Sequence, residues 1–237
     1  MKKIIDKLGT SAARWCVFAI AAALLITGTI GSALAAGLTG LSKPYRGGFE
    51  LTPSVEMTIV ENGTAVTADT DHLMQKLVKD EEDINVGQQY PEKLTIKNSG
   101  GVDAYMRVIV YRYWTDADGN KLQDLDPSLI ELDLVNGGRW VVDPASSTKE
   151  RTIMYYKGVF AAGDESTPFA TTIRLSPDTN NIVTQTKDPA TGYIKTVYDY
   201  DGRQFCIEIV ADAVQTHNAE AAIKSSWGAD AVKLILG

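Results

Sequence analysis

Short runs in which apolar and polar residues alternate recur along most of the chain. Apolar side chains occupy every second position in residues 94–97, 130–134, 173–175 and 205–213. A period of two places the apolar side chains on one face of an extended strand and the polar ones on the other. Each run therefore predicts a strand that is buried on one side.

One longer run, residues 104–115, is apolar at both alternating sets of positions and is rich in β-branched and aromatic residues. This composition is typical of a strand that is buried on both faces, so it predicts a central strand. Residues that accept a positive φ separate the runs, and they lie at Asn62-Gly63, 98–101, 118–120, 136–138 and Asp201-Gly202. Many short strands joined by such turns predict an antiparallel β-sandwich.

Two segments have helical spacing instead. Residues 71–80 place Leu73 and Leu77 on one side, and residues 218–227 do the same with Ala222 and Ile223. Both segments are short, so we expect a mostly β protein with two short helices.

The first 35 residues have the layout of a signal peptide. Four basic residues and one acidic residue precede an uncharged apolar run at residues 16–36. Small residues at Ala33, Ala35 and Ala36 suit a signal peptidase, and we place the cleavage after Ala35 or Ala36. We therefore expect a signal helix at residues 1–35. Since about 20 apolar residues can span a bilayer, an uncleaved membrane anchor is the open alternative.

The segment after the predicted cleavage site differs from the rest of the chain. Residues 36–50 contain four glycines and a proline and show no periodicity, which predicts a flexible extended leader. Of the 237 residues, 202 remain once the first 35 are removed. This length favours a single domain, at residues 51–237.

The charge of the chain restricts its partners. The whole chain carries −7, and removal of the basic N-terminal segment leaves −10. Such a surface repels nucleic acid and anionic lipid. We therefore expect no nucleic-acid partner, and we expect contact with a membrane only through the signal segment.

Cysteine and histidine offer little chemistry. Cys206 is the one cysteine beyond residue 35, so an intramolecular disulfide is excluded, and its position in a strand-like run favours a small packed side chain. His72 and His217 are too far apart in sequence for a local zinc motif. A Cys206–His217 dyad, which would make the protein a secreted hydrolase, is the least favoured alternative.

Other candidate sites have simpler interpretations. Asp116, Asp118 and Asn120 resemble the start of a calcium loop, but the glycine and the closing glutamate are misplaced, and a hairpin turn is favoured. The acidic run at residues 80–83 favours solvent exposure, and Trp114, Trp140 and Tyr155-Tyr156 favour strand packing over a glycan groove. We therefore predict no catalytic, cofactor-binding or metal-binding residue, and no enzymatic activity.

Several segments together resemble one family of exported proteins. They are residues 94–100, 103–108, 138–140, 155–157, 162–168, 209–215 and 218–228. In these segments the chain resembles the TasA/camelysin family, whose members depend on a SipW-type signal peptidase. The resemblance covers most of the chain beyond the signal segment.

The resemblance implies a jelly-roll-like β-sandwich and, for the biofilm members, fibres in which an N-terminal strand is donated to the next subunit. The candidate donor is the strand-like segment after the leader and comprises Leu51, Val55, Met57 and Ile59. An exposed sheet edge accepts such a strand through backbone hydrogen bonds. Pairing of this segment within its own domain is the open alternative.

These observations predict an exported structural protein of the cell surface or biofilm matrix. We expect its partners to be copies of itself and, during export, a signal peptidase. An envelope module that binds glycan or a cation is the second interpretation, and a secreted hydrolase is the third.

Overall fold

Two antiparallel sheets account for most of the described chain. The computed structural model describes residues 21–22, 55–66, 84–187, 189 and 194–237. The strands are β1 (Ala21–Ala22), β2 (Met57–Glu61), β3 (Thr64–Ala65), β4 (Gln89–Asn98), β5 (Ala104–Thr115), β6 (Lys121–Leu122), β7 (Ile130–Leu134), β8 (Trp140–Val142), β9 (Arg151–Tyr156), β10 (Ala170–Leu175), β11 (Val183–Lys187), β12 (Ile194–Tyr198) and β13 (Gln204–Gln215). Two α-helices follow, α1 (Ala219–Trp227) and α2 (Ala229–Leu236).

The strand order separates three sheets. The first sheet runs β1-β13-β5-β9-β8, with β6 also paired to β5, and the second runs β3-β2-β4-β10-β7. The third, which we call the ribbon, consists of β11 and β12 alone. All pairs are antiparallel except β1 with β13.

The main core lies between the first and second sheets. Leu94 and Ile96 of the second sheet and Met106 and Val108 of the first belong to one buried cluster, each with no measurable exposure. Two antiparallel sheets that share one core are an arrangement consistent with the predicted β-sandwich.

Residues 104–115 form β5, the central strand that their composition predicts. Met106 and Val110 point into the core between the sheets, and Tyr105 and Ile109 point to the opposite face. That face is covered by the helices, where Ile223, Ala231 and Ile235 complete a second apolar cluster. Because β5 is covered on both sides, its sequence shows no polar alternation.

The helix at 218–227 is confirmed as α1, and α2 was missed. The prediction at residues 71–80 lies outside the described residues. No helix in the ranges given above is long and apolar enough to cross a lipid bilayer.

The predicted half-buried strands are confirmed in β4, β7 and β10. The run at residues 205–213 is also a strand, β13, but it is buried on both faces, because the helices cover the face that was expected to be exposed. The turns between strands are also found, with positive φ at Asn62, Gly63, Gly119, Gly138 and Gly202. The ribbon was not predicted. Every residue of β11 and β12 is exposed, so the two strands carry no inward apolar face that a pattern could reveal.

Candidate functional site

Strand β13 has twelve residues, lies next to the edge strand β1 of the first sheet and is paired unequally on its two sides. On one side it pairs with β5 at all twelve positions, without a bulge. On the other side, the described residues place Ala21–Ala22 alone, in a parallel pairing opposite Ile209 and Val210. These two residues lie inside the predicted signal segment, and they form a strand where a signal helix was expected. Beyond Ile209 and Val210, the outer edge is not paired by any described strand.

One hydrogen bond shows which backbone groups face the outer edge. The N–H of Arg112 donates to the carbonyl of Glu150 on the β9 side, at 2.8 Å, so the backbone of Arg112 points away from β13. Its partner Ile207 must then point away from β5, because antiparallel pairs alternate between bonded and non-bonded. The same alternation directs the N–H and C=O groups of six residues outward: Phe205, Ile207, Ile209, Ala211, Ala213 and Gln215.

The sequence of β13 carries few of the features that block strand addition at an edge. Proteins protect exposed edges with lysine, proline or bulges, and β13 has neither residue type and a regular register. Its charged residues are Glu208 and Asp212, and Asp212 is held in an ion pair. The outer edge is therefore competent to pair with a further strand.

Packing on both faces holds this edge in an extended conformation. Ile207 and Ile209 point into the main core with no measurable exposure, and Val210 and Val214 pack against the helices. Strand β2, next to the edge strand β3 of the second sheet, contacts β13. A strand added to β13 would therefore lie on the same side of the two-sheet core as β2 and β3.

A buried polar cluster ties β13 to its neighbours. Arg107 Nε donates to Asp212 Oδ2 at 2.8 Å across the β5–β13 pair, and the Arg107 guanidinium lies 5.3 Å from the centre of the Trp227 ring in α1. Tyr155 pairs with Arg107 from the β9 side, and burial raises the pKa of its phenol. The cluster thus connects three neighbouring strands of the first sheet with α1.

The predicted donor residues lie partly in the second sheet. Met57 and Ile59 are buried in β2, which pairs antiparallel with β4, and Val55 packs against the main core. Within one chain, this segment therefore pairs in its own domain, which is the alternative that the sequence left open. Its donation to a neighbouring subunit stays a prediction. Leu51 and the cleavage residues Ala33, Ala35 and Ala36 lie outside the described residues.

The structure does not bring Cys206 and His217 together. Cys206 is 1% exposed near the start of β13, with its sulfur 3.9 Å from Thr115 Oγ1. His217 follows the other end of the strand. At about 3.3 Å per residue, the part of β13 from Cys206 to Gln215 alone extends for roughly 30 Å between them. His72 and the acidic run at 80–83 lie outside the described residues.

The loop at 116–120 is a hairpin turn between β5 and β6, as its sequence favoured. Asp116 Oδ1 accepts hydrogen bonds from the backbone N–H groups of Asp118 and Asn120, at 3.0 and 2.8 Å, and Oδ2 accepts from Asn120 Nδ2. The hydrogen bond from the Asn120 side chain is the main reason that the pKa of Asp116 is lowered. No group of three or more histidine, cysteine, aspartate or glutamate residues in the described ranges could hold a metal ion.

The aromatic residues considered as a glycan groove are packed in the interior. Trp140 and Tyr155 are each 1% exposed and Trp114 is 3% exposed. Trp140 packs edge-on against Tyr156 and donates from Nε1 to the carbonyl of Thr167 at 2.8 Å. Their role is to fill the core.

A cleft of about 240 Å³ lies beside β6 and is lined by Tyr113, Lys121, Leu122, Gln123, Leu125, Pro127 and Glu150. Lys121 forms an ion pair with Glu150 and lies 5.2 Å from the centre of the Tyr113 ring. The two charged residues that line the cleft, Lys121 and Glu150, are therefore already paired with each other.

Comparison of the sequence with protein-family models and with curated proteins finds no match.

Proposed function

We propose that the protein is an exported structural subunit of the cell surface or biofilm matrix, which assembles into fibres by N-terminal β-strand donation. The observation that carries this proposal is the outer edge of β13, a straight twelve-residue edge whose second side is paired in the described chain at Ile209 and Val210 alone. Main-chain hydrogen bonds along such an edge supply affinity for an added strand.

The proposal assigns an acceptor and a donor. The acceptor is the row of outward-facing groups from Phe205 to Gln215, and the donor is the leader at residues 36–50 with Leu51. The other predicted donor residues, Val55, Met57 and Ile59, stay with the core of their own subunit and tether the leader to it. Cleavage after Ala35 or Ala36 removes Ala21–Ala22 from the edge. The leader then leaves the chain end free to reach a second copy.

The lengths of the two parts agree. Twelve residues of β13 extend for roughly 40 Å, and the fifteen residues of the leader can span about 50 Å. Donor and acceptor are different surfaces of the same chain. Their contact is therefore head-to-tail, and such a contact generates an open filament when the rotation between subunits does not close a ring.

The resemblance to the TasA/camelysin family supports the finer parts of the proposal. These are a jelly-roll-like connection of the strands, removal of the signal segment by a SipW-type peptidase, and an extracellular or cell-surface location. The net charge of −10 after cleavage is compatible with a soluble extracellular subunit.

The test compares a chain that starts at Ala36 with a chain that starts at Leu51 and lacks the leader. Electron microscopy and size-exclusion chromatography should show fibres or large oligomers for the first chain and monomers for the second. If both chains remain monomeric at micromolar concentration, polymerisation through this leader is wrong. An envelope module that binds glycan or a cation then becomes the better interpretation.

A further inference from the structure

The ribbon carries most of the exposed apolar side chains of the described residues. Eight large apolar residues in the described ranges are exposed, and five of them lie on or directly beside the ribbon: Ile182, Val183, Ile194, Val197 and Tyr198. Val183, Ile194 and Tyr198 share one face of the ribbon, and Val197 lies on the other. Exposed apolar groups gathered on one element mark interaction surfaces more often than isolated ones do. The ribbon is also unsupported, since β11 and β12 pair with each other and with no other described strand.

The backbone of β12 presents a regular free edge. The N–H of Asp199 donates to the carbonyl of Ile182 at 3.1 Å, so Asp199 faces β11. By the alternation of an antiparallel pair, the N–H and C=O groups of Ile194, Thr196 and Tyr198 face away from β11. These three residues can pair with another strand without breaking the ribbon.

The sequence of β12 is complementary to itself when two copies run antiparallel about Thr196. In that register Ile194 lies opposite Tyr198 of the second copy, and Lys195 lies opposite Val197 of the second copy. Aromatic and β-branched side chains directly opposite each other stabilise antiparallel pairs, whereas like charges opposite each other destabilise them. This register forms two stabilising pairs of Ile194 with Tyr198, and it does not place the two Lys195 side chains opposite each other.

The other edge of the ribbon is less suitable. Residues that face outward from β11 are Val183, Gln185 and Lys187, and antiparallel self-pairing would place each Lys187 opposite Val183 of the second copy. Both arrangements place two lysines opposite valines, but pairing through β11 has no pair of an aromatic with a β-branched side chain. The self-complementarity is therefore greater for β12.

We propose that a second copy of this chain docks edge to edge on β12 and forms a continuous four-stranded sheet around a twofold axis at Thr196. Three facing residue pairs would exchange about six main-chain hydrogen bonds. The surface is distinct from the outer edge of β13. The contact is small, which is typical of a transient association, and in fibres of the proposed kind it would join neighbouring filaments sideways.

Disulfide trapping tests the twofold axis directly. The experiment uses the full chain, expressed with residues 1–35 and purified in its mature form. In the proposed dimer, the two Cα atoms of Thr196→Cys are about 5.5 Å apart, which is within the range that a disulfide bridges. Gln185→Cys is the matched control, because Gln185 is equally exposed and lies opposite Thr196 in the ribbon. In the proposed dimer, two such residues are about 14 Å apart across three strand spacings.

We expect Thr196→Cys to form disulfide-linked dimers at least about tenfold faster than Gln185→Cys on mild oxidation, because the thiols are held at bonding distance. The parent chain gives the background rate of dimer formation, which should be low because Cys206 is buried. Equal rates for the two variants, or no dimer from Thr196→Cys, would contradict the proposal. Faster linkage of Gln185→Cys would move the contact to β11.

A charge exchange tests the facing pair. In the Thr196→Cys background, Ile194→Lys or Tyr198→Glu alone should slow dimer formation, and the two together should restore most of it, because each lysine then faces a glutamate of the second copy. Failure of the double variant to recover would overturn the register. Ala213→Pro, which removes an outward N–H of β13, should leave the linkage unchanged, so failure of this contact and failure of fibre assembly are distinguishable.

Discussion

Arg107 and Asp212 face each other across the β5–β13 pair and form a nearly buried ion pair, with Arg107 Nη2 2.7 Å from Asp212 Oδ2. The Trp227 ring covers the guanidinium from α1. One ion pair thus connects the central strand, the edge strand and the helical layer. The pair lies on β13, the strand that carries the proposed acceptor edge.

Removal of one partner of this pair should destabilise the fold. Asp212→Ala leaves the Arg107 guanidinium, which is 17% exposed, without its carboxylate, so we expect the free energy of unfolding to fall by about 3 kcal/mol. The matched control is Asp230→Ala in the exposed pair with Lys233, where the expected change is under about 1 kcal/mol. Urea denaturation of both variants gives the comparison. Equal losses would show that Asp212 does not stabilise the first sheet through this pair.

The main core should depend on its second-sheet residues. Leu94 has no measurable exposure, and Leu94→Ala should lower the free energy of unfolding by about 2 to 5 kcal/mol, because the removed methyl groups leave a cavity. Val197→Ala on the exposed ribbon is the control, with an expected change within about 0.5 kcal/mol. A comparable loss at Val197 would mean that the ribbon packs against the body of the protein in solution.

Acid should weaken the contribution of Asp126. Hydrogen bonds from Lys149, and then from the backbone and hydroxyl of Ser128, lower the pKa of this carboxyl to about 2. An unfolded aspartate titrates near 3.9, so the ionised form stabilises the fold above about pH 4, and this stabilisation is lost as the pH falls through about 2.

The effect should be modest because the Asp126 side chain is 35% exposed, so solvent screening limits it to at most about 1 kcal/mol. Asp126→Asn should therefore be less stable than the parent at pH 6, and the difference should narrow as the pH approaches 2. Chemical denaturation at both pH values measures it. A difference that is the same at both would assign the effect of Asp126 to packing instead of charge.

Much of the sheet structure can be predicted from the sequence because buried positions of a strand are occupied by apolar residues in a regular pattern. The two-sided covering of β5 by a core and by helices produces the apolar run from Ala104 to Thr115, and the outer face of β7 produces the alternation from Ile130 to Leu134. The ribbon has no such imprint, since its residues contact solvent on both faces.

The candidate edge could not be predicted in the same way. The pattern of β13 shows that it is a buried strand, but which strands lie beside it depends on pairings between residues far apart in sequence, such as Ile209 with Val110. Helix α2 was missed because its eight residues are too few for a convincing period, although Ala231 and Ile235 lie one turn apart.

A proline on the outer edge of β13 separates strand addition from folding. The N–H of Ala213 faces away from β5, so Ala213→Pro removes a group that an added strand would need while the β5 pairing keeps its hydrogen bonds. Ala213→Val is the control, because it enlarges the same partly buried side chain and retains the N–H.

The most direct measurement is therefore electron microscopy of the chain starting at Ala36 in its parent, Ala213→Val and Ala213→Pro forms, with circular dichroism to verify that all three are folded. Strand addition at β13 predicts fibres from the parent and from Ala213→Val, and folded monomers or short oligomers from Ala213→Pro. Fibres of normal length from Ala213→Pro would contradict assembly through this edge.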